Sequence, residues 1–154
     1  MAKKRIGILT GGGDVPGLNG VIKGVTYRAW ELGFEVVGIR RGWEGLTHLK
    51  PGAGEKDERY IVPLDLDNTR TIDRTGGTWL HSSRTNPRKM KKAALPPGLD
   101  AKKAETMKVA EDRYDITPLV MDNIESLGLD YLVPIGGDDT LSYSLSLIHI
   151  SEPT

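Results

Sequence analysis

The chain has 154 residues, no cysteine, and 21 basic against 21 acidic side chains, so its formal charge is zero. That balance argues against a general nucleic-acid binder, which needs a net basic footprint, and no apolar run approaches the ~18–20 residues of a membrane span. Missing cysteines exclude a disulfide framework and thiolate chemistry and fit the cytoplasm, and the basic stretch Met1 to Arg5 is not followed by the apolar region and cleavage site of a signal peptide.

The length suits one domain with a real core. Its nineteen glycines are about 12% of the chain against an average near ~7%, and they gather in particular turns. Arg5 to Leu9 is a short apolar run ending in Thr10 and three glycines, the pattern of a buried strand entering a tight turn. Leu18, Val21, Ile22, Val25, Ala29 and Leu32 then repeat at helical spacing, with Gly33 placed to end the helix in a left-handed turn. Glu35 to Ile39 is a valine-rich second strand, so the first 39 residues read as a βαβ unit, which implies a parallel sheet.

Arg40 to Gly54 is glycine-rich and reads as loop. Tyr60 to Leu64 is a candidate strand, and Asp67 to Arg74 a short helix with Asn68 as its N-cap. Arg88 to Arg113 is lysine-rich and interrupted by Pro96, Pro97 and Gly98; it reads as a solvated excursion with one helix near Ala101 to Glu111. From Asp115 to Leu127, Ile116, Val120, Ile124 and Leu127 share one helical face, with Pro118 in the first turn and Gly128 at the end. Tyr131 to Ile135 is a further strand. The three tryptophans, Trp30, Trp43 and Trp79, read as core or turn-packing residues, and the three histidines show no metal-ligand spacing. The fold class is α/β, a parallel sheet with helices on both faces, in which ligands sit at the carboxyl ends of the strands.

Three glycine turns carry the chemistry. Gly11-Gly12-Gly13-Asp14-Val15-Pro16-Gly17 stands between a strand and a helix, where converging N–H groups and the helix dipole attract phosphate. It is neither a Walker loop nor a dinucleotide fingerprint, and a ligand-free turn is the plainer reading. Gly76-Gly77-Thr78 leads to Ser82-Ser83-Arg84, where the guanidinium fork suits a phosphoryl oxygen, against the plainer reading of a surface arginine. Gly136-Gly137-Asp138-Asp139-Thr140 follows an apolar strand at once. One of its carboxylates suits Mg²⁺, which takes one or two carboxylates together with substrate phosphate oxygens; the competing reading is an ordinary helix start, where Asp also complements the dipole.

Taken together and in order, the three turns resemble the 6-phosphofructokinase family. Ile8 to Asn19 resembles its opening block, Gly76 to Arg84 its second and Ile135 to Thr140 its third, with agreement along residues 4 to about 143. The resemblance implies a Rossmann-like N-terminal domain and phosphoryl transfer to the 1-hydroxyl of fructose 6-phosphate, giving fructose 1,6-bisphosphate in glycolysis. It further implies that Gly12 and Gly13 line the donor phosphates, that Arg84 and Thr85 contact the donor, that Asp138 binds Mg²⁺, and that Gly137, Asp139 and Thr140 complete the donor loop. A cytoplasmic homo-oligomer, with no nucleic acid or membrane partner, is the implied setting. Pyrophosphate-dependent members carry aspartate where ATP-dependent members usually carry glycine, and here that position is Asp139. A carboxylate beside the α-phosphate of ATP would repel it by about 4 kcal/mol at ~4 Å and an effective dielectric near ~20, so pyrophosphate is the expected donor and ATP the alternative.

The family's catalytic base lies in a Thr-x-Asp-Asn-Asp segment that this chain does not contain. Residues 145–154, Leu-Ser-Leu-Ile-His-Ile-Ser-Glu-Pro-Thr, resemble a translated sequencing adapter, against the alternative of a genuine strand from Leu147 to Ile150. The expectation is therefore a partial N-terminal domain over 1–144, a non-native tail over 145–154, and a fragment that, lacking the catalytic base, is itself inactive. NAD kinases and lipid kinases share a similar third loop but lack the first block. A non-catalytic phosphosugar- or nucleotide-sensing domain is the rival from outside the enzymes.

Overall fold

The computed structural model describes residues 3–13, 15–50, 52–53 and 56–151, and the side chains of these up to His149. In chain order the elements are β1 (Arg5–Thr10), α1 (Leu18–Glu31), β2 (Glu35–Ile39), α2 (Trp43–His48), β3 (Ile61–Leu64) and α3 (Leu66–Thr69). There follow α4 (Ala101–Thr106), β4 (Lys108–Ala110), β5 (Arg113–Tyr114), α5 (Thr117–Ser126), β6 (Tyr131–Ile135) and α6 (Asp138–Ser151).

Four strands form the main sheet in the order β3-β2-β1-β6. β1 is central and parallel to both neighbours, with Ile8 opposite Gly38 on β2 and Val133 on β6. Side-chain alternation along the strands then sorts the core into two layers. Leu9, Val37 and Ile39 pack on one face with Trp43 and Leu46 of α2, Val120 of α5, and Tyr143 and Leu147 of α6. Ile8 and Val36 face the other way, against Ile22 and Ala29 of α1 and against Ile72 and Leu80. The sheet is thus covered by helices on both faces, as the sequence pattern implied.

β3 departs from the expected parallel sheet by pairing antiparallel to β2, with Ile61 opposite Ile39. An antiparallel edge strand on an otherwise parallel sheet is common among α/β folds. Arg40 to Gly54 is not all loop, because α2 forms within it and buries Trp43, Leu46 and Thr47, with Leu49 buried just past its end. Asn68 does not cap a helix; Asp65 does, accepting from the Asn68 N–H while the Asn68 side chain accepts from the Asp65 N–H. On α1, Val21 and Leu32 lie exposed, leaving Leu18, Ile22 and Ala29 as the buried stripe. Trp43 is buried but Trp30 is 61% exposed, which corrects its reading as a packing residue.

The excursion also has more structure than its composition implied. Its helix stops at Thr106, β4 and β5 form a small antiparallel pair, and Met90 bridges to Tyr114 through reciprocal backbone bonds. Met90, Met107, Tyr114, Ile116 and Leu119 make a third apolar cluster. α5 begins after Asp115, whose carboxylate accepts from the N–H and hydroxyl of Thr117. α6 continues across Ser144 without interruption, so the alternative strand from Leu147 to Ile150 is not formed; residues 152–154 lie outside the described set.

Candidate functional site

The carboxyl ends of β1 and β6 lie side by side, since Thr10 is in register with Ile135. The first and third glycine turns leave these ends together, and the Gly11 N–H donates to the Ile135 carbonyl at 2.8 Å. The approach is close enough to need glycine: a Cβ on Gly136 would stand 2.6 Å from the Gly11 carbonyl oxygen. The second turn is tied to the first. The Gly12 N–H donates to the Ser83 carbonyl at 3.3 Å, and the Ser82 hydroxyl donates to the Gly12 carbonyl at 2.9 Å. Below them, the buried Thr10 hydroxyl donates to the His81 carbonyl and contacts the Thr78 hydroxyl at 2.7 Å.

Asn19, on the first full turn of α1, locks the arrangement. It is 4% exposed, donates to the carbonyls of Thr75 and Gly77, and accepts from the Trp79 N–H. Neither Asn19 nor Thr10 was singled out in the sequence as more than part of a motif. The signal was their position, polar residues on an otherwise apolar stripe.

Between the three turns lies a cavity of about 640 Å³. Gly12 and Gly13 line it from the first turn, Arg84 and Thr85 from the second, and Gly137, Asp138, Asp139 and Thr140 from the third. All eight residues expected at a donor site therefore face one space. Asp14 lies outside the described residues. Ser83, Asn86 and Lys89 also line the cavity, Lys89 from the lysine-rich excursion whose composition implies solvent exposure.

Gly137 precedes α6, and its carbonyl accepts the helix's first backbone bond from Leu141 at 3.1 Å. The N–H groups of Asp138, Asp139 and Thr140 thus begin a 14-residue helix with no partner inside it, at its positive end. Arg84 and Lys89 bring positive charge to the cavity lining, and Asp138 and Asp139 bring two carboxylates. Among the described residues no group of three or more His, Asp or Glu side chains gathers to hold a metal ion by protein ligands alone. An arrangement of one or two carboxylates facing phosphate-binding groups instead fits an ion that shares its coordination with a bound phosphate.

A glycine-lined cleft at the carboxyl ends of parallel strands, beside a helix start, is the kind of place where α/β domains bind phosphate groups. The chain belongs to the phosphofructokinase family, whose profile, described as "Phosphofructokinase", matches residues 5–150. It is 39% identical over 153 residues to a pyrophosphate–fructose 6-phosphate 1-phosphotransferase of Dictyoglomus thermophilum, covering 99% of this chain and 35% of that protein. It is 38% identical over 138 residues to ATP-dependent 6-phosphofructokinase 3 of Streptomyces coelicolor, covering 89% of this chain and 31% of that one. The chain spans about a third of the length of these curated relatives. Its fold matches the phosphofructokinase of Pichia pastoris in the T-state with a TM-score of 0.68 at 23% identity, over 97% of this chain and 13% of that one. No helix among the described residues is long and apolar enough to cross a membrane.

Proposed function

We propose that the chain supplies the phosphoryl-donor half of a 6-phosphofructokinase, and that the donor is pyrophosphate. The acceptor is then fructose 6-phosphate and the product fructose 1,6-bisphosphate. In this reading the N–H groups at the start of α6 and of Gly13 hold the donor oxygens where the chain passes closely at Gly12, while Arg84 neutralises charge on one side and Thr85 donates beside it. Asp138 holds Mg²⁺, which offsets the charge of the donor phosphates when bound. None of the described residues from 145 onward lines the cleft, and the reading gives residues 145–154 no part in donor binding. The family's Thr-x-Asp-Asn-Asp segment is not among these 154 residues, so this reading assigns them donor binding and no catalytic base.

The observation that carries the donor assignment is Asp139, whose exposed carboxylate stands on the first turn of α6 and lines the cavity. In this reading a donor with a third phosphate would have to pass this carboxylate, whereas pyrophosphate would end before it. Solvent screening at an exposed site reduces the repulsion, so discrimination of about ten- to a hundredfold is expected rather than the roughly thousandfold of a drier site. Calorimetric titration of the chain in Mg²⁺ tests this. Pyrophosphate is expected to bind at least about tenfold more tightly than ATP, and Asp139→Gly to narrow the gap. Equal affinities in the unaltered chain would overturn the donor assignment.

A further inference from the structure

A second cavity, of about 390 Å³, adjoins the donor cleft and shares Asn86 and Lys89 with it. It lies between the excursion and α6. Arg88 and Lys89 enter from the segment after the second glycine turn, Arg113 from β5, and Ser142 from α6. The segment 88–113 holds eight Lys or Arg against four Asp or Glu in a chain whose formal charge is zero, so positive charge is concentrated on this side.

Three cations face the cavity and one carboxylate, Asp115, opposes them. One Asp115 oxygen accepts from both the N–H and the hydroxyl of Thr117. The other lies 3.9 Å from Arg88 Nε, a long contact, while Arg88 Nη1 donates to the Ser146 hydroxyl at 3.0 Å. Neither Lys89 nor Arg113 has a side-chain hydrogen bond or ion pair among the described residues. The space offers no aromatic face to a nucleoside, because the Tyr143 ring at its floor is 2% exposed and packed edge-on against Trp43. Unpaired guanidinium and ammonium groups beside a free hydroxyl are donors without acceptors, the complement of a small oxyanion.

We propose that this cavity is a second phosphate site, which takes the inorganic phosphate that pyrophosphate leaves behind. The proposal rests on the donor reading of the neighbouring cleft for the source of its ligand. In the transfer, the bond from the bridging oxygen to the transferred phosphorus breaks and one from the acceptor hydroxyl oxygen forms. The bridging electron pair stays with the departing phosphate, and the hydroxyl proton leaves to a base outside this chain. Lys89 faces both cavities, so the departing dianion meets a cation on its way from one to the other.

The test is calorimetry on the 154-residue chain in Mg²⁺, with methylenediphosphonate saturating the donor cleft and inorganic phosphate as titrant. Phosphate is expected to bind on top of the diphosphonate, one per chain. Arg113→Gln is expected to weaken phosphate about tenfold and Arg113→Glu to abolish its binding, both leaving the diphosphonate unaffected. Arg113 is exposed and unpartnered, and an unchanged thermal melt establishes that these variants fold. Phosphate that merely displaces the diphosphonate, unchanged phosphate affinity in both variants, or displacement of phosphate by uncharged adenosine would each overturn the proposal. If phosphate binds through Arg113 but the diphosphonate does not bind at all, the donor reading fails and the second site stands.

Discussion

Asn19 makes three hydrogen bonds to backbone groups of a single loop, Thr75 to Trp79, from a position on α1 that is 4% exposed. Truncation to alanine would leave two carbonyls and one N–H without their partner in a place water reaches poorly. Asn19→Ala is therefore expected to cost about 3 kcal/mol, a fall in melting temperature of roughly 6–12 °C for a chain of this size. A thermal melt checks this, and a change of less than about 2 °C would mean the loop is held by other contacts. The same variant is expected to weaken diphosphonate binding, because the loop Asn19 holds continues into Ser82, Ser83 and Arg84.

Among the elements, β3 is held by a local ion pair. The buried Asp57 carboxylate accepts from Arg59 Nε and Nη2 at 2.8 Å and from the Lys50 N–H at 2.9 Å, four residues ahead of the strand. The Arg59 hydrogen bonds are the largest influence and hold the Asp57 carboxyl at about 2, below its ordinary 3.8, against the opposing effect of burial. A carboxylate whose folded value is depressed adds stability above its unfolded value and loses it as pH falls through the folded one. Asp57 is thus expected to contribute fully above about pH 4 and to lose that contribution between about pH 4 and 2. In acid titrations of stability, Asp57→Asn should flatten this part of the curve, and an unchanged slope would remove Asp57 as its source. This anchor also shows why some elements were legible in the sequence and others were not. β1, β2, β6, α1 and α5 carry a clean hydrophobic period. The direction of β3, the helix α2 inside a glycine-rich stretch, and the cap at Asp65 depend on what packs nearby, which a local pattern does not encode. Met90, Met107 and Tyr114 lie too far apart in sequence to register as one cluster.

At the scale of the molecule, β6 is an edge strand among the described residues, half-buried along Leu132 to Ile135, with Tyr131, Leu141, Leu145 and Ile148 about half exposed around it. An open parallel edge flanked by apolar side chains invites association. The 154-residue chain by itself is expected to form concentration-dependent oligomers or aggregates, read by light scattering after size exclusion; a monodisperse monomer at every concentration would contradict this. The donor cleft was legible because backbone geometry makes glycine turns recognisable, and their order completed the pattern. Asn86 and Lys89 were not, since only the folded chain decides which member of a charged run faces inward. One consequence lies in the pairing of Ile6 with Tyr131 and Thr10 with Ile135, which closes the cleft across almost the whole chain. A ribosome that has made α1, β2 and the second glycine turn has made no site, because the wall formed by Gly137 to Thr140 comes after both other turns. Contacts of such sequence separation form slowly and together, so a phosphate ligand meets either a complete cleft or none. Its binding energy is then coupled to folding of the entire sheet rather than to one loop.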